Sequence, residues 1–197
     1  MNDFGPKLLP TTQGAEGLPR MRWTVADMDR LVQAGILSED DRVELIGGEL
    51  VPMAAKGPMH EDLKTALHWW LGRHLPEPIV FAVELGWRPD ADSYLEPDIL
   101  VFERTKRPSR LPASEVLLLM EVADTSEAYD TGVKALTYAR LGVREYWTIR
   151  TKSLQTRVHR DPGPDGYGQT LEIAASEILS PGLIRDLHLR LADLDIT

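Results

Sequence analysis

Residues 99–102, "ILVF", and 116–120, "VLLLM", are nearly continuous apolar runs. A strand with one wet face alternates apolar and polar residues, so unbroken runs of this kind fit strands covered on both faces. The economical fold for such strands is a mixed sheet with helices packed on its faces, an α/β architecture. Each run also carries a carboxylate at one tip, Asp98 before the first and Glu121 after the second. A buried strand has little reason to tolerate an acid unless something pairs with it.

The flanking segments supply the helices. In "WTVADMDRLVQAGIL", Thr24 is an N-cap with Asp27 at N3, Trp23 can staple onto Met28, and Gly35 closes a short helix. "VELIGGELVPM" holds two alternating runs around Gly47-Gly48, whose positive φ angles suit a type I′ hairpin. Residues 58–75 repeat Leu63, Ala66, Leu67, Trp70 and Leu71 at helical spacing, and the prolines at 76 and 78 stop that helix. "IVFAVELGWRP" alternates Ile79, Phe81, Val83, Leu85 and Trp87 along one face of a strand, and Trp69, Trp70 and Trp147 all fit core stripes. A helix follows over 126–141 with Gly142 at its C-cap, then the strand "REYWTI", a hairpin across a Pro/Gly loop, and short edge elements.

Residues 1–20 mix Pro, Gly, Thr and Gln without periodicity and read as a flexible arm. The remainder, 21–197, suits one domain with a sizeable core. No apolar run approaches the length of a membrane span and no secretory signal opens the chain, so a cytoplasmic protein is expected. The absence of cysteine excludes disulfides, thiolate metal sites and a cysteine nucleophile. A net charge of -9 argues against a broad nonspecific grip on nucleic acid, while leaving room for a local basic groove or for carboxylates gathered around a divalent cation.

If the strands at 98–102 and 116–122 are antiparallel neighbours joined by the 103–115 loop, Asp98 and Glu121 meet at one edge of the sheet. Two acids held that close repel, and one takes up a proton unless a cation sits between them. Magnesium does this with a few carboxylates, waters and a substrate phosphate. The alternative stays open that each acid caps a turn or pairs with an arginine. Downstream, Asp130, Lys134 and Tyr138 fall on one helical stripe, while Tyr129, Val133 and Leu136 form an apolar stripe that can face the sheet. Lys134 could then aim at the carboxylates, or form an ordinary surface pair with Asp130.

Pro97-Asp98 followed by Glu121-Val122 resembles the PD-(D/E)XK signature of the restriction-endonuclease-like nucleases. "VELIGGELVPM", His60, "EPDILVF", "MEVADTSEAYD", Lys134 and "YARLGVREYW" together resemble one bacterial branch of that superfamily, classed as a domain of unknown function, over about residues 22–190. The resemblance implies a restriction-endonuclease-like mixed β-sheet flanked by helices, with an N-terminal helix and β-hairpin. It also implies an endonuclease dependent on Mg2+ or Mn2+, with nucleic acid, DNA foremost, as partner, and it allows a homodimer. Asp98 and Glu121 would be the metal ligands. Ala123 stands where the signature wants lysine, which makes Lys134 the carried-over lysine, and Arg150 replaces an acid common at the end of its strand. Glu44 and His60 sit at motif positions, as an extra acid and as a group orienting phosphate or water.

Arg104, Lys106, Arg107 and Arg110 form a basic loop, at the end of the strands opposite the acids. A catalytically inactive binding or assembly module on the same fold is the alternative, motivated by the acidic charge and Ala123. A glycosidase using Glu84 and Glu121 is a third reading, weakened by the lack of an exposed aromatic platform.

Overall fold

The structure is a computed structural model and describes residues 11–13, 19–38, 41–53, 55–124 and 126–196. In chain order the first elements are β1 (Thr11–Gln13), β2 (Pro19–Met21), α1 (Val25–Gln33), β3 (Val43–Ile46), β4 (Glu49–Pro52) and α2 (Pro58–His74). β5 (Ile79–Val83), β6 (Trp87–Asp90), β7 (Ser93–Leu95), β8 (Ile99–Glu103) and β9 (Leu118–Ala123) follow. A helical segment then runs through α3 (Glu127–Tyr129), a π-turn (Asp130–Lys134) and α4 (Ala135–Leu141). β10 (Glu145–Arg150), β11 (Thr156–Gly163) and β12 (Gly166–Ile173) complete the strands. The chain divides into two compact units, Met1–Met53 with Asp90–Leu95, and Ala54–Pro89 with Glu96–Thr197.

In the first unit β3 and β4 form the expected hairpin, Ile46 opposite Glu49, with β7 alongside β3 at Leu45–Tyr94. Gly47 and Gly48 sit at φ 56° and 89°, a pair of angles that L side chains rarely adopt in succession. α1 is capped as its sequence requires. Asp27 donates its backbone N–H to Thr24 Oγ1, and Thr24 donates its own N–H back to the Asp27 carboxylate. Of the expected arm, residues 1–10 and 14–18 lie outside the described residues, while Thr11–Gln13 pairs antiparallel with Pro19–Met21.

The second unit is built on a six-stranded mixed sheet in the order β12-β11-β10-β9-β8-β5. β8 and β9 are antiparallel neighbours, with Ile99 opposite Met120 and Val101 opposite Leu118, whereas β9 and β10 are parallel. Alternation sends Ile99, Val101, Met120 and Val122 to one face, where Leu63, Leu67 and Leu71 of α2 cover them. Leu179, Ile184, Leu187 and Leu189 from the C-terminal segment join the same cluster. Leu100 and Leu119 point to the other face and are equally buried, so both strands are covered on both sides as their unbroken apolar runs demand. Glu145, a buried acid on β10, is satisfied by Trp147 Nε1–H, Arg160 and the Gly182 N–H, which ties the C-terminal segment to the sheet.

Three expectations are corrected. The strand begun at Ile79 stops at Val83, because Glu84 turns into the left-handed region at φ 49° and gives its N–H to the Asp98 carbonyl, so Trp87 belongs to a separate strand. The helical segment over 127–141 buries Asp130, Lys134 and Tyr138 and leaves Val133 exposed. Its polar stripe faces in because Glu121 waits there to be paired. Trp69 is not a core residue either: it is 60% exposed, with the Arg73 guanidinium 5.6 Å from its ring centroid.

No residue of α1 is fully buried, so its cap carries much of its local stability. Thr24→Ala is expected to cost about 1 kcal/mol and to speed amide exchange across 25–33 about fivefold, while Thr24→Ser keeps near-native protection. Hydrogen-exchange mass spectrometry reads both.

Candidate active site

The tips of β8 and β9 carry the two acids. In the antiparallel register Leu100 faces Leu119 and Ile99 faces Met120, so the next step brings Asp98 beside Glu121. By alternation the Glu121 carboxylate lies on the face opposite the α2 cluster, while Asp98 stands just before β8 and reaches the start of α2. Their backbones lock them reciprocally. The Val122 N–H donates to Asp98 Oδ2 at 2.8 Å, and the Asp98 N–H approaches Glu121 Oε2 at 3.3 Å. Both side chains are buried, so each needs further donors.

Glu121 draws its donors from the helical segment after β9. Lys134 Nζ lies 2.9 Å and the Tyr138 hydroxyl 2.7 Å from Glu121 Oε1. Lys134 and Tyr138 are one turn apart, and the π-turn that ends at Lys134 closes with the Ala135 N–H donating to the Asp130 carbonyl. Asp130 and Lys134 are both buried, so the alternative of an ordinary surface pair does not describe them; Asp130 accepts from Ser126 Oγ, and its carbonyl accepts from the Tyr146 hydroxyl.

Asp98 draws its donors from the start of α2 and the segment before it. His60 Nε2 lies 3.0 Å from Asp98 Oδ2, and Lys56 donates to Asp98 Oδ1 at 2.8 Å. Lys56 also bonds the Glu84 carboxylate, and Lys64, one turn beyond His60, bridges Glu84 at 2.8 Å and Glu61 at 2.9 Å. Burial pushes the Asp98 carboxyl up, but the His60 hydrogen bond and the Lys56 ammonium outweigh it and hold it well below the usual carboxylate range. Burial likewise opposes charge on Lys56, and Asp98 and Glu84 overcome it to raise that lysine above its ordinary value. For Glu84 the order is the same: burial raises its pKa, and the bonds from Lys56 and Lys64 bring it below normal.

Asp98, Glu121, Lys134 and His60 therefore come together in the second unit. Glu44 belongs to the first unit, where it is buried on β3 opposite Val51. Lys56, Lys64 and Glu84 were not marked as a set by the sequence. Lys64 carried a signal, since it stands four residues after His60 on the same helix face; Lys56 carried none, lying in an extended segment without periodicity. Arg150, in place of the expected acid, binds Glu127, Glu172 and Gln155 and so ties the end of β10 to α3 and β12. In the basic loop, Arg104 pairs with Glu77 and Lys106 with Glu115. Glu84 and Glu121 are bound by different lysines, an arrangement that favours ion pairing over an acid/base couple.

Among the described residues no group of three or more His, Asp or Glu side chains is arranged as a metal cage. What the site offers a cation is a pair of buried hard carboxylate donors at neighbouring positions, Asp98 and Glu121. No described helix is long and apolar enough to cross a membrane.

Over residues 25–192 the chain matches the family model described as "Uma2: Putative restriction endonuclease". Among solved structures it is similar to "a putative nuclease belonging to DUF820 from Anabaena variabilis", with a TM-score of 0.65 and 18% identity, over 83% of this chain and 95% of that one. At that identity the likeness shows a shared mixed α/β fold, and together with the family match it supports the restriction-endonuclease-like superfamily. No curated protein matches the chain.

The buried Lys134–Glu121 pair makes a stability prediction for the metal-free protein. Lys134→Met, which leaves a buried carboxylate short of its cation, is expected to cost about 3–5 kcal/mol, and Tyr138→Phe about 1–3 kcal/mol. Adding Glu121→Gln to Lys134→Met recovers much of the loss. Urea denaturation in EDTA gives all three values.

Proposed function

This chain belongs to the Uma2 family, and from that membership and the acid pair at the tips of β8 and β9 we propose that it is a divalent-metal-dependent endonuclease hydrolysing nucleic-acid phosphodiester bonds, with DNA the favoured substrate. One observation carries the reading. Asp98 and Glu121, from neighbouring chain segments, are buried together, with the Asp98 N–H on the Glu121 carboxylate, the Val122 N–H on the Asp98 carboxylate, and ammonium groups at hand.

The donor set fits Mg2+ or Mn2+. Such ions take hard oxygen ligands, and magnesium in particular is held by one or two carboxylates with its remaining positions left to water and substrate phosphate. Asp98 and Glu121 would hold it, and each carboxylate has acceptor capacity for about four partners. When bound, the ion lowers the pKa of a coordinated water and draws charge from the phosphate.

The chain's own groups do the rest. His60 and the Val122 N–H fix the Asp98 carboxylate in one orientation, and Tyr138 does the same for Glu121. Lys134 adds fixed positive charge beside the reacting phosphate, where a buried setting strengthens its effect on the developing charge. It stands in for the lysine that the signature would put at Ala123. The family resemblance adds Glu44, on the hairpin of the first unit, as a further candidate acid. A homodimer would set two such edges against the two strands of a duplex, and a cytoplasmic location suits access to DNA.

A non-catalytic binding module draws support from one feature: lysines of the chain itself already compensate both acids. A nuclease assay on supercoiled, linear and single-stranded DNA with Mg2+ or Mn2+ decides between the readings. Metal-dependent nicking should disappear in Asp98→Ala and in Glu121→Ala, and Lys134→Met should lower kcat by about 10^2–10^3. If no DNA is cut, and calorimetry finds no divalent binding controlled by Asp98 and Glu121, the acids are structural and the binding module leads.

A further inference from the structure

Three ammonium groups serve the acids, and they differ in what they face. The Lys134 side chain is 8% exposed behind Glu121, and Lys64 is 7% exposed between Glu61 and Glu84. Lys56 is 14% exposed, and its second partner, Glu84, is 38% exposed. Glu84 and Lys64 line a cavity of about 370 Å3 that continues past Thr65 to Trp69. Lys56 is thus the cation that sits between the innermost acid, Asp98, and the solvent side of the network.

We propose that Lys56 contacts a backbone phosphate of the bound nucleic-acid strand, through the ammonium donor that Asp98 and Glu84 leave over; this rests on the nuclease reading above. An ammonium has three donors, and Asp98 and Glu84 take two of those on Lys56. Of the three lysines, Lys56 is the most exposed, at 14% against 7% for Lys64 and 8% for Lys134.

The backbone holds Lys56 there. A Cβ on Gly57 would meet the Asp124 carboxylate at 3.3 Å, so the chain passes close by the end of β9 immediately after Lys56. Glu84 is held on the other side by its left-handed backbone and its N–H bond to the Asp98 carbonyl, a costly conformation of the sort found at ligand clamps. Lys56 therefore bridges two carboxylates that are themselves fixed to the Asp98 strand.

The test is binding rather than cleavage. Fluorescence anisotropy of labelled duplex and single-stranded oligonucleotides, with Ca2+ as the divalent ion, gives affinity across a salt series. Losing one phosphate contact should flatten the plot of log K against log salt by about 0.9 for duplex or about 0.7 for single strand. Lys56→Met and Lys56→Gln are expected to show that change and a several-fold weaker affinity at low salt. Lys56→Arg should keep the wild-type slope. Near-ultraviolet circular dichroism confirms that each variant is folded, with Lys56→Gln retaining hydrogen-bond donors should Lys56→Met fail to fold. Oligonucleotide binding by wild type with an unchanged slope in folded Lys56→Gln overturns the role of Lys56 and leaves the nuclease reading standing. Failure of wild type to bind any oligonucleotide overturns both.

Discussion

The reciprocal bonding of Asp98 and Glu121 across β8 and β9 is the constraint on which the second unit turns. Each acid is anchored by a backbone N–H of the opposite strand: Val122 for Asp98, and Asp98 itself for Glu121. A slip of one residue would turn over the faces of the strand that slips. A slipped β9 would carry Glu121 into the apolar layer of Ile99, Leu63 and Leu67. Sheet register and site electrostatics thus enforce one another. The acids can be buried only in the correct register, and in that register they need cations.

Those cations come from opposite directions in the chain. Glu121 is served by the helical segment that follows it, a short connection in sequence. Asp98 is served from more than thirty residues upstream, by His60 and Lys56. The upstream group forms a connected ladder, Lys56 to Glu84 to Lys64 to Glu61, along the first turns of α2. Removing one rung would leave a buried or half-buried charge unpaired, so the ladder is better described as a unit than as separate pairs.

How much of this was legible in the sequence follows from the range of each interaction. The α1 cap, the Gly47-Gly48 hairpin, the doubly covered β8 and β9 and their antiparallel pairing were all readable, because each rests on local spacing or on an unbroken apolar run. The meeting of Lys134 with Glu121 was readable for the same reason. Lys56 was not, since nothing in an extended segment says which distant carboxylate it will find. The break at Glu84 was hidden because alternation ran through it, and only the bond to the Asp98 carbonyl shows why the strand stops. The facing of the helix over 127–141 was misjudged by hydrophobicity: a buried acid attracts a lysine and a tyrosine more strongly than the sheet attracts Val133. Trp69 shows the converse, an aromatic residue at helical spacing that is left in solvent with Arg73.

The π-turn at Asp130–Lys134 has a consequence for which length changes this segment can tolerate. A π-turn accommodates one residue more than regular α-helical bonding needs over the same span. Deleting that residue would restore ordinary bonding and rotate everything beyond it by about 100° relative to α3. Lys134 and Tyr138 would swing away from Glu121, or Ser126 and Asp130 would swing away from their own partners. Relatives that lack the extra residue would have to deliver a cation to the acid from elsewhere, and the vacant motif position at Ala123 is one place from which that could be done. The helix and the strand end would then be interchangeable sources of the same charge, with the length of the segment recording which one a given chain uses.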